Sequence, residues 1–206
     1  MIARRLYFLC TLLAVLALAG CADLAPARRE ATTSRAARTC HARIALVGRF
    51  SVQYRKDDKE ESAHGNFRWG QNNSHMRIVL ISPMGQTLAT IDVTPESATL
   101  IDSEKESHTA EDVDALVLES LGWPLPVSGL RDWIQACMRD ARGRRVIVTP
   151  ESRELTTSDG WRITYPVWEE DDRGRRRPKR IDVQHIANER IVLSVRLVID
   201  EWMPHP

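Results

Sequence analysis

Catalysis or metal binding in this chain of 206 residues would have to rest on six histidines, four cysteines and a few serines in turns. Two histidines four apart on a helix would offer a zinc pair, and a serine in a Gly-x-Ser-x-Gly elbow would offer a nucleophile. Neither pattern occurs. His41, His64, His75, His108, His185 and His205 are scattered without a paired ligand spacing, Ser82 and Ser128 lack the elbow, and no glycine-rich phosphate loop is present. A lipase or esterase needs a nucleophile with its base. The sequence therefore points away from an enzyme, and it names no metal or other cofactor. One stretch, Arg173-Gly174-Arg175-Arg176-Arg177-Pro178-Lys179-Arg180, packs six cations into eight residues, enough to hold anionic head groups at about 1 kcal/mol each. Glu169, Glu170, Asp171 and Asp172 precede it directly and cancel much of that field, which predicts a solvated hairpin loop rather than a lipid patch.

Chemistry of another kind is written at the start of the chain. Arg4 and Arg5 precede an apolar run from Leu6 to Ala19 that closes on Leu18-Ala19-Gly20-Cys21. The run is short for a permanent span and fits a cleaved signal. A cysteine directly after the small residues resembles the bacterial lipoprotein pattern, in which Cys21 is acylated and becomes the mature N-terminus. Residues 1–20 are then a signal peptide. Three acyl chains on one cysteine exceed the two signals that stable anchoring requires, and Ala22, where an aspartate would mean inner-membrane retention, favours the periplasmic face of the outer membrane. Residues 21–39, rich in Ala, Arg, Thr and Ser, read as a flexible tether, leaving a folded domain over 40–206.

Losing Arg4 and Arg5 takes 29 cations to 27 against 28 acidic residues, a formal charge of −1 in the mature chain. No global basic field exists for nucleic acid. Cys40 and Cys137 remain in an oxidising compartment with 96 residues between them, and two readings stay open: a disulfide, or two buried thiols.

Hydrophobic period sets the elements that follow. Ile44, Leu46, Phe50, Val52 and Tyr54 alternate with Arg49, Ser51, Gln53 and Arg55, and Ala63, Gly65, Phe67 and Trp69 alternate with His64, Asn66 and Arg68, which predicts a long hairpin. Met76 to Ile81 and Leu88 to Val93 predict a second, turned by Ser82-Pro83-Met84-Gly85-Gln86. A short strand follows at Ala98, Leu100 and Asp102. At Thr109 the period becomes helical: Thr109 is expected to cap a helix carrying Val113, Leu116, Val117 and Leu121, with Gly122 as its stop. After the corner Trp123-Pro124-Leu125-Pro126-Val127, Ser128 is expected to cap a second helix whose Leu130, Trp133, Ile134 and Cys137 share a face. Strand patterns resume at Val146 and Val148, at Trp161, Ile163 and Tyr165, and from Ile191 to Ile199. Strands, two helices, then strands imply a mainly β, α+β domain: an antiparallel sheet with the helices on one face.

These residues carry a resemblance. Gly48-Arg49-Phe50-Ser51-Val52, Gly65-Asn66-Phe67-Arg68-Trp69, Leu80-Ile81-Ser82-Pro83-Met84-Gly85-Gln86, Leu121-Gly122-Trp123-Pro124-Leu125-Pro126-Val127, Leu130-Arg131-Asp132-Trp133-Ile134, Trp161-Arg162-Ile163-Thr164-Tyr165 and Pro178-Lys179-Arg180-Ile181 follow one another in the order of the LolB family of outer-membrane lipoprotein receptors, which the chain resembles from about Gly48 to Trp202. The resemblance implies an open, strongly curved half-barrel under a helical lid, with an apolar cavity between them. It implies acceptance of acylated lipoprotein cargo from a soluble LolA-like carrier and insertion into outer-membrane phospholipid, by a monomer, without cofactor or covalent chemistry. Met84 stands where the family commonly carries leucine in a protruding loop, so Pro83, Met84 and Gly85 are expected to insert into the membrane. The highly charged stretch from Glu169 to Arg180 is a departure.

Such a device must shield acyl methylenes, each worth about 0.8 kcal/mol on transfer from water. Phe50, Val52, Trp69, Leu80, Leu100 and Ile163 from the sheet, with Leu116, Leu130 and Ile134 from the helices, are the expected cavity lining, and residues 109–140 the expected moving lid. The competing reading is a structural or assembly lipoprotein that uses the same sheet to bind a protein partner, with its interior filled.

Overall fold

The computed structural model describes residues 40–56, 59–139, 144–152, 154–172 and 174–203. The expected signal (1–20), the anchor Cys21 and the tether (21–39) lie outside the described residues. In β1 (Ile44–Lys56) Ile44, Leu46, Phe50 and Val52 are buried and Arg49 and Gln53 exposed, as the alternation predicts. The same one-sided pattern runs through β2 (Lys59–Gln71), β3 (Met76–Ile81), β4 (Thr87–Val93) and β5 (Ala98–Asp102). A further edge strand, β6 (Ser107–Ala110), pairs with β5. In the second half β9 (Glu154–Thr156), β10 (Trp161–Glu170), β11 (Arg176–Ala187) and β12 (Arg190–Met203) complete the sheet. Its order among the described residues is β6-β5-β4-β3-β2-β1-β12-β11-β10-β9, antiparallel throughout, with β6 and β9 at the two ends. The sheet is open.

One face of it is apolar and is covered by the two helices. Helix α1 (Val113–Leu121) and helix α2 (Val127–Trp133) bury Val113, Leu116 and Val117, and Val127, Leu130 and Trp133. These join Phe50, Trp69, Ile78, Leu100, Ile163 and Val195 in one core, each fully buried aliphatic contributing roughly 1.5–3 kcal/mol relative to exposure. Glycines make room for the large rings on this face. A Cβ at Gly48 would overlap the Val198 carbonyl and lie 2.8 Å from the Phe67 ring, and one at Gly65 would overlap the Ile81 carbonyl and lie 3.1 Å from the Phe50 ring. Gly48 also marks a register shift against β12.

Three local expectations are corrected. Thr109 does not cap α1: it lies in β6, its hydroxyl 3.3 Å from that of Thr99, and the cap is Asp112, whose carboxylate accepts from the Asp114 and Ala115 amides at 2.8 and 3.0 Å. Ser128 does not cap α2: the N-cap position is Pro126, with no side-chain bond, and Ser128 instead donates its amide and hydroxyl to the Asp114 carboxylate, tying the two helices together. Cys137 leaves the helical face. Ala136 at φ 53° ends the helical path, and Cys137 opens β7 (Cys137–Arg139), which pairs with β8 (Arg145–Ile147) in a small separate sheet. Gly122, at φ 74°, does stop α1.

Candidate functional site

Register brings the large apolar side chains of the central strands side by side under the helices. Phe50 is opposite Leu197, Phe67 opposite Leu80 and Trp69 opposite Ile78. With Leu125 from the corner and Leu130 from α2 they line an apolar pocket of about 10 Å³, room for roughly one water and far short of an acyl chain. Phe50, Trp69, Leu80 and Leu130 are thus brought together here. Val52, Leu100, Leu116, Ile134 and Ile163 are buried in the same core but do not line the pocket. Phe67, Ile78, Leu125 and Leu197 line it without having been singled out. The first two and Leu197 share the strand parity of their named neighbours, a signal that was present, whereas Leu125 between two prolines has no periodic neighbour.

The cover is attached unevenly. The second half of it is held by polar bonds. Arg131 donates to the Asn72 and Asn73 carbonyls at 2.8 and 3.0 Å, and Gln71, buried and itself accepting from the Trp69 indole at 2.7 Å, donates to the Arg131 carbonyl at 3.2 Å. The Tyr165 hydroxyl donates to the Trp133 carbonyl at 2.9 Å. Buried Gln135 exchanges two bonds with the backbone of His41, at 2.8 and 2.9 Å, and Cys137 is joined to Cys40 in a disulfide. The choice between disulfide and free thiols is thereby decided. At the corner, Trp123 stacks on Phe50 with ring centres 5.9 Å apart and planes 18° from parallel.

The turn between β3 and β4 ends in an apolar tip. The Ser82 amide donates to the Gln86 carbonyl at 2.7 Å, the Gly85 amide to the Ser82 carbonyl at 2.9 Å and the Gln86 amide to the Ser82 hydroxyl at 3.1 Å. Gly85 at φ 86° takes the left-handed position that a side chain resists. Met84, held between Pro83 and Gly85, is 88% exposed. It is the most exposed of the large apolar side chains among the described residues.

The charged stretch from Glu169 to Arg180 is a paired hairpin more than a loop. Glu169 faces Arg177 and Glu170 faces Arg176 across β10 and β11. Lys179 meets Glu169 at 3.0 Å, Arg176 meets Glu170 at 3.1 Å, and Asp171 holds both Arg175 and Arg177, at 2.8 and 2.9 Å. Arg177 also lies over the Trp202 ring. On the outer face of the sheet Arg77 and His75 converge on Asp92 at 2.6 and 3.0 Å. Partial burial would raise that carboxyl, but the bonds and charge from Arg77 and then His75 outweigh it and hold Asp92 below the ordinary carboxylate value. Asp102, Glu106 and His108 gather at the β5–β6 turn, where the Asp102 carboxylate is occupied by the Glu104 and Glu106 amides and the His108 ring. Among the described residues no helix is long and apolar enough to cross a membrane.

A family model described as outer membrane lipoprotein LolB matches residues 42–202. The outer-membrane lipoprotein LolB of Cupriavidus pinatubonensis is 38% identical over 203 residues, which cover 96% of this chain and 94% of that one. The proteins of the same name from Cupriavidus necator and Thiobacillus denitrificans are 37% and 34% identical, covering 98% and 92% of this chain and 98% and 94% of their own.

Proposed function

The chain belongs to the family of the outer-membrane lipoprotein LolB, and from that premise we propose that its domain receives acylated lipoproteins from a soluble, LolA-like periplasmic carrier and sets them into the outer membrane. It is an outer-membrane lipoprotein, anchored through acylated Cys21 and acting as a monomer in lipoprotein localisation, with no reaction at a covalent bond. The observation that carries the reading of the site is the pocket, where Phe50, Trp69 and Leu80 of the sheet meet Leu130 of the cover with no polar side chain among its lining residues. An acyl chain in water costs about 0.8 kcal/mol for each methylene, and this seam is where the domain can shield one. At about 10 Å³ the seam is closed, so a cavity forms only when the cover gives way. Val52, Leu100, Leu116, Ile134 and Ile163 surround it as the deeper walls.

Pro83, Met84 and Gly85 supply the membrane contact. Inserting one methionine contributes about 1–2 kcal/mol, small beside the acyl anchor but enough to orient the domain at the bilayer. The test is transfer of a radiolabelled lipoprotein from purified carrier to the soluble Cys21→Ala protein, then to liposomes. Acceptance without the anchor is expected. A folded Cys21→Ala protein that takes up no cargo would overturn the reading.

A further inference from the structure

The two halves of the helical cover are attached to the sheet by different chemistry. From Leu130 onward, α2 and its exit are pinned at four places along the chain: the Arg131 guanidinium and carbonyl against residues 71–73, the Trp133 carbonyl on Tyr165, the Gln135 amide on His41, and the Cys137 disulfide to Cys40. Nothing of the kind holds the first half. Among the described residues no hydrogen bond joins α1 or the corner 123–126 to any strand of the sheet. The bonds there are either local, with Asp112 capping α1, the Gly122 amide closing its last turn at 2.9 Å and the Val127 amide returning to the Leu125 carbonyl at 2.8 Å, or they run to α2 beside Val127, where the Asp114 carboxylate in the first turn of α1 accepts from the Ser128 amide and hydroxyl. What keeps this half down is apolar contact, chiefly Trp123 stacked on Phe50 and Leu125 in the pocket wall. Pro124 and Pro126 have no amide hydrogen to offer, and the corner turns tightly at Pro126 (φ −78°, ψ 69°) into α2.

Apolar contact and polar pins respond differently to an acyl chain. A methylene chain can replace Trp123 and Leu125 against Phe50 and Leu197 at little net cost, since one apolar surface is exchanged for another. It cannot replace the partners of Gln71, Gln135 or the Arg131 carbonyl, which would be left buried and unsatisfied at about 1–3 kcal/mol each. We infer that the gate of the acyl site is α1 with the Trp123–Pro126 corner, residues 113–126, swinging as a unit on Glu111 and Val127, and that α2 is the fixed half of the cover. Trp123 and Leu125 are then positioning residues: they hold the seam shut when it is empty and yield their places to the chain. This rests on the receptor reading, and it narrows the moving part from the whole of residues 109–140 to the half before Val127.

Hydrogen exchange followed by mass spectrometry on the intact disulfide-bonded domain, alone and with a diacylated cysteine lipopeptide in detergent-free buffer, tests it. In the free domain, amides of 113–123 should exchange at least tenfold faster than those of 130–138. On saturation with lipopeptide, only residues 113–126 and the strands facing them should change. Trp123→Ala should speed exchange in α1 at least threefold and leave 130–138 as it was. Should this variant fail to fold, the comparison within the parent protein still decides. Equal exchange of the two halves, or a lipopeptide response shared equally by both, would overturn the gate while leaving the receptor reading standing. A domain that co-elutes with no lipopeptide at all would remove the receptor reading and the gate together.

Discussion

Two hairpins of the same sheet end in opposite ways. The β3–β4 turn is almost without charge and holds one methionine into solvent, whereas the β10–β11 turn carries the densest charge in the chain and leaves little of it unanswered. Both turn through a glycine in the left-handed region, Gly85 at φ 86° and Gly174 at φ 70°, and both close on a bond from that glycine's amide, to Ser82 and to Asp171. The backbones solve one problem with one device. The difference lies in the side chains, and it teaches that a run of charges is weak evidence for a binding surface when its partners stand opposite in the ladder, while a single exposed apolar side chain is ordinary by itself and takes its meaning from its place at a hairpin tip and from a functional test.

The largest test of that contrast replaces the exposed thioether by a charge. Met84→Glu should accept cargo from the carrier as the parent does and deliver it to liposomes about tenfold more slowly, following the loss of roughly 1–2 kcal/mol of insertion and the added cost of a carboxylate. Met84→Leu should deliver much nearer the parent rate. Undiminished delivery by folded Met84→Glu would remove the tip from the mechanism.

A smaller effect tests whether the two backbones are alike. No atom lies within 4 Å of a Cβ built at Gly85 or at Gly174, so either Gly→Ala change meets only backbone strain, about 1 kcal/mol. Denaturant midpoints of the two variants should fall together. A much larger loss at one site would mean that its turn is held by more than its own bonds.

Asp171→Asn probes the charged tip itself. Losing the shared partner of Arg175 and Arg177 should cost about 0.5–1 kcal/mol, given that the pair is partly buried. Two freed guanidiniums should also give salt-sensitive binding to anionic vesicles, read by sedimentation. Equal sedimentation of variant and parent would show that the field was never masked.

The smallest effect concerns the body of the β3–β4 hairpin. Asp92 has a folded value below its unfolded one because of Arg77 and His75, so its contribution is present above pH of about 4, the unfolded carboxylate value, and is lost as pH falls through the folded value. Arg77→Gln should flatten the acid side of the stability profile slightly below pH of about 4. A profile identical to the parent's would show that the pair adds nothing.

Much of this was legible in residue order alone. Ile44, Leu46, Phe50 and Val52 alternate so regularly that the inward face of β1 could be named at once, and β12 likewise. The edge strand β6 was not legible: Ser107-His108-Thr109-Ala110 pairs on one side only, and three of the four lack any apolar side chain to mark a face, so the helical period was placed three residues early. Cys137 fell at helical spacing from Trp133 and Ile134, but the turn at Ala136 is a backbone event with no side-chain signature. The pocket was half legible. Alternation says which residues point inward, and says nothing about which of them leave a gap.

The strand order has a consequence for how the domain comes into being. β1 lies between β2, its neighbour in sequence, and β12, the last strand of all, so that Phe50 pairs with Gly65 on one side and Leu197 on the other. A chain crossing a membrane with its N-terminus leading can assemble β1 to β6 early, yet the inward edge of β1 stays bare until the final strand emerges, because so distant a contact is the slow one to close. Leu197 is a wall of the pocket. A chain stopped before Arg190 therefore lacks this wall and leaves one edge of β1 unpaired, and should remain with the factors that hold unfolded chains. Function arrives with the last strand or not at all.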